Sequence, residues 1–170
     1  RIPTHGGSIR VYASRHPAYE GDGSVERLLK EEHDLCAGSD RLEAFRQRVL
    51  LSKLELLALV RDLKKAGKRI VGIGAPSRAS TLINYVGLDD GILDGVYEIA
   101  GSTKIGKHIP GTLIPVLEES QLYEEQPEYA LLLSWHIAEE LAPKLKRKGY
   151  RGDYLIPLPT PRVLAGREVP

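Results

Sequence analysis

From Arg69 onward, near-continuous apolar runs alternate with helical patterns: "RIVGIG" (69–74), "RASTLINYVG" (78–87), "ILDGVYEI" (92–99), "EYALLLSW" (128–135), a helical stretch from about 137, and "DYLIPL" (153–158). Strands with this little polar alternation are stable only when both faces are covered, which a parallel sheet with helices on either side achieves. The expected fold class is α/β, a Rossmann-like doubly wound parallel sheet. At 170 residues and 42% hydrophobic content the chain can build one such domain with a real core but is short for two.

Upstream of the sheet the pattern changes twice. "SIRVYASR" (8–15) alternates Ile9, Val11 and Ala13 with polar residues, the two-residue period of a half-buried strand. Val25, Leu28, Leu29 and Cys36 then suggest a modest helix ending near Gly38. Asp40 with Glu43 reads as a capping box opening a long amphipathic helix through Leu42, Phe45, Val49, Leu56, Leu59 and Leu63 to Gly67. At 1.5 Å per residue it would be roughly 40 Å long. Its second apolar flank, Leu50, Leu51, Leu54 and Leu57, packs either in the domain's own core, the favoured reading, or against a partner. Residues 1–38 therefore form an N-terminal strand and short helix, and 39–170 the long helix plus the Rossmann-like domain, expected to act as one structural unit. Pro143 should kink the last helix or delay its start. "PLPTP" (157–161) reads as an extended exit.

Charge and cysteine content narrow the function classes. A net charge of +1 with no long basic block argues against nucleic acid or acidic membranes as partners. Cys36 is alone, so neither a disulfide framework nor a cysteine zinc site can be built within the chain. No apolar run approaches the roughly 20 residues of a membrane helix, and a soluble, cytoplasmic protein is expected. Arg1 as the first residue and the lack of methionine suggest a piece of a longer protein.

In a doubly wound sheet ligands bind beyond the carboxyl ends of the strands. Here the first such turn is Gly74-Ala75-Pro76-Ser77. Gly72 and Gly74 match the first two glycines of a dinucleotide fingerprint, but Ser77 takes the third position and Pro76 removes an amide that a pyrophosphate would use. That weakens an NAD reading. Glu98, at the end of the next strand, is either a ribose ligand or a solvated strand-end carboxylate. Arg78 opposes the helix dipole unless an anion shares the site, so it either faces solvent or meets a phosphate. Ser77, Ser80 and Thr81 fit helix capping equally well.

Other candidates carry the same two readings. His5 precedes two glycines and Ser8, a ligand approach or a flexible tether. Trp135 and His136 sit at another strand's carboxyl end, a base or sugar platform or simple packing. Lys104 and Lys107 lie in a glycine-punctuated loop, a diphosphate cradle or a solvated turn. His5, His16, His33, His108 and His136 are scattered, and no catalytic triad or metal-ligand spacing stands out.

Taken in order, "HGGSIRVYA", "GIGAPSRASTLINYVGL", "KIGKHIPGTLIPV" and "LLLSWHIAEEL" resemble the C-terminal domain of the sugar-nucleotide C-methyltransferases. The resemblance runs from His5 to about Pro159. It implies a parent with an N-terminal zinc-binding region, a central S-adenosylmethionine domain and this domain closing over a dTDP-linked keto-deoxysugar. Catalytic residues, zinc and the main methyl-donor contacts would then lie in the upstream methyltransferase domain, and this chain alone would not methylate. Relatives often carry a Lys-Gly-Asn run where this chain has Arg78, Ala79 and Ser80. Substrate contacts are expected from His5, Ser8, Gly74, Ala75, Pro76, Ser77, Arg78, Asn84, Glu98, Lys104 and Trp135, with a homodimer as a further option. Two alternatives stand beside this reading. One is a non-catalytic nucleotide-binding or regulatory Rossmann module mediating assembly, and the other, disfavoured by Pro76 and Ser77, is a fragment of an NAD-dependent oxidoreductase.

Overall fold

The computed structural model describes residues 1–2, 7–15, 20–36 and 39–170, with side chains at 36 and 39 left aside. These fall into two compact units, Arg1–Leu50 and Leu51–Pro170.

In the first unit, α1 (Ser24–Cys36) is an amphipathic helix whose first turn is anchored by the Asp22 carboxylate accepting from the Ser24 amide at 2.9 Å. The sequence pattern predicts a strand at 8–15, but only an isolated antiparallel bridge joins Ser8 to Ile2. Ile9, Val11 and Tyr12 are exposed. A two-residue alternation needs a neighbouring strand edge and an apolar surface to become a strand. Among the described residues neither is supplied beyond the Ile2–Ser8 bridge.

Helix α2 (Ser39–Lys65) matches the expected long helix and begins in the first unit and ends in the second. Its apolar residues divide by position. Leu56 and Val60 are buried and Leu57, Leu59 and Leu63 pack beside them, whereas Leu42, Phe45, Leu50, Leu51 and Leu54 are exposed. Of the second flank only Leu57 packs against the core, and Leu50, Leu51 and Leu54 do not, contrary to the favoured sequence reading. The carboxyl-terminal turns of α2 alone serve the domain's interior.

The second unit holds a six-stranded sheet in the order β3-β2-β1-β4-β5-β6. Its strands are β1 (Ile70–Ile73), β2 (Val96–Glu98), β3 (Val116–Glu118), β4 (Tyr129–Leu132), β5 (Asp153–Ile156) and β6 (Arg162–Leu164). All neighbours are parallel except β6, which runs antiparallel to β5. The expected exit after Leu155 instead turns back as this edge strand, the place in a sheet where a proline-rich approach is tolerated.

Side chains alternate along the strands into two cores. Ile70, Val96, Val116, Leu131 and Leu155 face the layer built from α2 and α3 (Ser77–Val86), against Leu56, Val60, Ala79 and Ile83. Val71, Ile73, Tyr97, Leu132 and Tyr154 face the opposite layer of α4 (Glu119–Glu125) and α5 (Ala138–Arg147), against Leu122, Ala142 and Leu145. Helix α5 carries Pro143 at its sixth position and begins well before it, so the expected late start does not occur. The amide that Pro143 lacks would have bonded the carbonyl of Glu139, an exposed residue that water can serve.

Strand order reverses between β1, which is followed by a crossover to β2 on one side, and β4 on the other. That is the topological switch point, where a ligand crevice opens beyond the strand ends.

Candidate functional site at the switch point

Two segments meet at this point. The first is the β1–α3 turn, Gly74 to Arg78, and the second follows β4 through Ser134 into a single 3-10 turn, Trp135–Ile137. Gly74 sits at φ +79°, and a Cβ there would stand 3.1 Å from the Ser134 hydroxyl oxygen. Gly72, one pleat earlier, is more tightly enclosed, since a Cβ would lie 2.8 Å from Val96 and 2.9 Å from Leu133. The first glycine thus admits the side chains of both neighbouring strands, and the second permits the left-handed bend that leads into α3. Ser77 is exposed, so no close helix–strand approach is needed at the third fingerprint position.

Glu98, at the carboxyl end of β2, accepts a hydrogen bond from the Ala75 amide at 2.5 Å, and its side chain is only 14% exposed. Lys104 donates to the Ala75 carbonyl at 2.6 Å and lies 3.7 Å from the same carboxylate. The basic loop after β2 therefore folds back onto the turn, and its charge is partly consumed there. The bond between the Glu98 carboxylate and the Ala75 amide satisfies the donor that a bound phosphate would otherwise claim.

Arg78 lies in the first turn of α3, with its guanidinium carbon 5.9 Å from the centre of the Trp135 ring. A cation there is opposed by the helix dipole by about 0.3–1 kcal/mol and favoured by the ring's quadrupole by a similar amount. Trp135 is half-buried and packs against both cores at the sheet end. Its placement between the two cores accounts for packing at the sheet end.

The remaining candidates are distributed as follows. Asn84 lies two turns further along α3, where its amide donates to Ser80 and to the Pro110 carbonyl at 2.7 and 2.8 Å. Gly111 stands directly against it, leaving no room for a Cβ. Asn84 thus fastens the basic loop to the helix and is not at the turn. Ser8 belongs to the first unit, and His5 lies outside the described residues. Ser134 was missed by sequence reasoning, although the strand-end rule that singled out Trp135 points equally to its neighbour.

A shallow groove of about 530 Å³ is lined by Asn84, Gly87, Leu88, Asp89, Asp90, Gly111, Thr112 and Leu113. It sits at the opposite end of α3 from the switch point, and Asp89 and Asp90 there disfavour an anion. Among the described residues no group of three or more histidine, cysteine, aspartate or glutamate side chains is arranged to hold a metal. No helix of the described residues is long and apolar enough to cross a membrane.

Sheet order, a glycine turn at the reversal and an aromatic ring beside it define a Rossmann-like module whose strand order reverses between β1 and β4. The chain belongs to the C-methyltransferase C-terminal domain family, whose model matches residues 3–159. It is similar to the C-methyltransferase NovU of Streptomyces niveus, with 32% identity over 169 residues. That match covers 95% of this chain and 39% of the relative.

Proposed function

We infer that this domain is the sugar-nucleotide-binding part of an S-adenosylmethionine-dependent C-methyltransferase, and that its ligand is a dTDP-linked keto-deoxysugar. The observation that carries this reading is the juxtaposition at the switch point of the Gly74–Arg78 turn with Ser134 and Trp135, which sets a cation over an aromatic ring beyond the strand ends. Family membership and the similarity to a C-methyltransferase support the transferase class.

The proposed chemistry divides between this domain and the rest of the parent. A ketone acidifies the neighbouring C–H, a general base removes that proton, and the resulting carbanion forms a C–C bond to the transferred methyl group. S-adenosylmethionine supplies that methyl and leaves as the neutral thioether. In this reading the base, the methyl-donor site and any zinc belong to an upstream methyltransferase domain. The present chain binds and orients the nucleotide, excludes water when the domains close, and does not methylate alone. Arg78 supplies charge for phosphate, and Trp135 an apolar platform for base or sugar. Gly74, Ala75, Pro76 and Ser77 shape the floor, with Glu98 and Lys104 holding it. Of the other contacts expected from sequence, His5 lies outside the described residues, Ser8 belongs to the first unit and Asn84 is engaged with Ser80 and Pro110, so none of them enters the proposal. A cytoplasmic location and a homodimer belong to the same reading.

A second reading, a non-catalytic nucleotide-binding module mediating assembly, draws on the exposed apolar residues Leu42, Phe45, Leu50, Leu51 and Leu54 of α2. Calorimetry with dTDP, S-adenosylhomocysteine and NAD separates the possibilities. Weak dTDP binding with no response to the other two is the expected result, and tight NAD binding contradicts the proposal. Methyl transfer by the full-length parent, lost when this domain is deleted, decides between the transferase and the assembly module.

A further inference from the structure

The two walls of the switch-point crevice differ in how their charges are used. On one wall the Glu98 carboxylate holds the Ala75 amide at 2.5 Å, and Lys104 holds the Ala75 carbonyl at 2.6 Å while lying 3.7 Å from Glu98. Pro76 follows and has no N–H. The two residues after Gly74 therefore offer no free amide donor, and a phosphate approaching them meets a carboxylate already seated. On the other wall Arg78 lies over Trp135 and, among the described residues, has no carboxylate partner. A guanidinium carries five N–H donors in a planar fork, and contact with an aromatic face leaves them available for an oxyanion.

We propose that the site reads phosphate through the Arg78 side chain and not through the Ala75 amide: Arg78 takes the diphosphate, and Glu98 keeps anions off the Ala75 amide. The ligand is thereby oriented with its phosphates on the Trp135 wall. This assignment rests on the sugar-nucleotide reading and adds to it which wall carries the charge. It also gives a reason for rejecting dinucleotides, whose pyrophosphate is cradled by turn amides that Glu98 and Pro76 deny here.

Trp135 is the sole tryptophan of the chain, so its fluorescence, checked by calorimetry, reports binding at this crevice. The wild-type protein and the variants R78Q, R78K and E98Q are titrated with thymidine 5′-diphosphate, thymidine and inorganic pyrophosphate. R78Q is expected to weaken thymidine 5′-diphosphate by about tenfold or more, the scale of a lost charge-assisted contact, while leaving thymidine unchanged. R78K keeps a point charge without the fork and recovers part of the loss. E98Q retains an acceptor for Ala75, removes the negative charge, and tightens inorganic pyrophosphate.

Several outcomes overturn the assignment. If the wild type binds both nucleosides and R78Q changes neither, Arg78 does not read phosphate, although the sugar-nucleotide reading survives. Equal losses for thymidine and its diphosphate make Arg78 a support for Trp135 only. Unchanged or weakened pyrophosphate binding in E98Q removes the excluding role. If the wild type binds neither thymidine compound, the sugar-nucleotide reading falls and takes this assignment with it. Circular dichroism of each variant against the wild type establishes that folding is intact.

Discussion

Gly72 and Gly74 show how two identical residues two positions apart answer different physical demands. A methyl group at position 72 would have to displace the Val96 and Leu133 side chains, both buried in the core on that face of the sheet. Replacing Gly72 by alanine is expected to destabilise the domain by about 1–3 kcal/mol, as overpacked cores do, measured as a lowered denaturant midpoint with unchanged slope. Position 74 fails for another reason, its backbone at φ +79°. Gly74→Ala should cost about 1–2 kcal/mol from strain in the left-handed region and also press on Ser134. The two losses should add to within a few tenths of a kcal/mol only if the sites are independent, and their closeness predicts a coupling term in the double mutant.

Much of this turn was legible as residue types. Glycines at 72 and 74, a proline where an amide was wanted, and a cation in the first helical turn all stood in the sequence. What could not be read was partnership. Glu98 and Lys104 were each open to two readings because their partners, the two polar atoms of the Ala75 peptide, come from a segment more than twenty residues away. Asn84, expected from sequence among the ligand contacts, donates to the Ser80 and Pro110 carbonyls, a role no sequence pattern indicated. Asparagine in mid-helix has no local signal that distinguishes a loop fastener from a ligand contact.

At the scale of elements, β1, β2, β4 and β5 were readable because both of their faces are buried, which leaves near-continuous apolar runs. Strands β3 and β6 and helix α4 were not. Val116–Glu118 and Arg162–Leu164 are three residues each, too short for any periodicity to register, and β6 is hidden behind three prolines. The strand expected at 8–15 erred in the opposite direction, since a period was present but no partner edge. Where the amino ends of strands meet, Arg69 ties three elements together. Its guanidinium reaches Asp94 at 3.0 Å and Glu125 at 2.7 Å, and its amide donates to Glu128 at 3.1 Å. These pairs are partly exposed, so R69A is expected to lower stability by only about 1–2 kcal/mol, with most of the effect removed at high salt.

The buried tyrosines link the element scale to pH. Desolvation, with Glu125 as the next cause, pushes the Tyr97 hydroxyl up to about 12, and desolvation followed by Asp153 does the same for Tyr154. Tyr123 and Tyr150 are raised further, again chiefly by burial. A tyrosine whose folded pKa exceeds its unfolded value near 10 contributes stability that is complete below pH 10 and is lost as pH rises towards the folded value. Alkaline titration should therefore show the exposed tyrosines ionising first, with the buried ones following in one cooperative step between about pH 10 and 12. Tyrosinate absorbance recorded alongside circular dichroism checks this. Smooth ionisation of all eight tyrosines without loss of structure would contradict the burial described for Tyr97, Tyr150 and Tyr154.

At the scale of the second unit, two layers of helix around one mostly parallel sheet bring the β1–α3 turn and the segment after β4 together beyond the strand ends, and the functional account depends on that meeting. The shallow groove at the far end of α3 offers a rival location with the opposite charge character. Backbone amide chemical shifts followed during titration with thymidine 5′-diphosphate distinguish the two directly. The account expects the largest changes at residues 74–78 and 134–136 and little response at 87–90 and 111–113. Changes concentrated in the second set, or no response at the switch point from a folded protein, would contradict it.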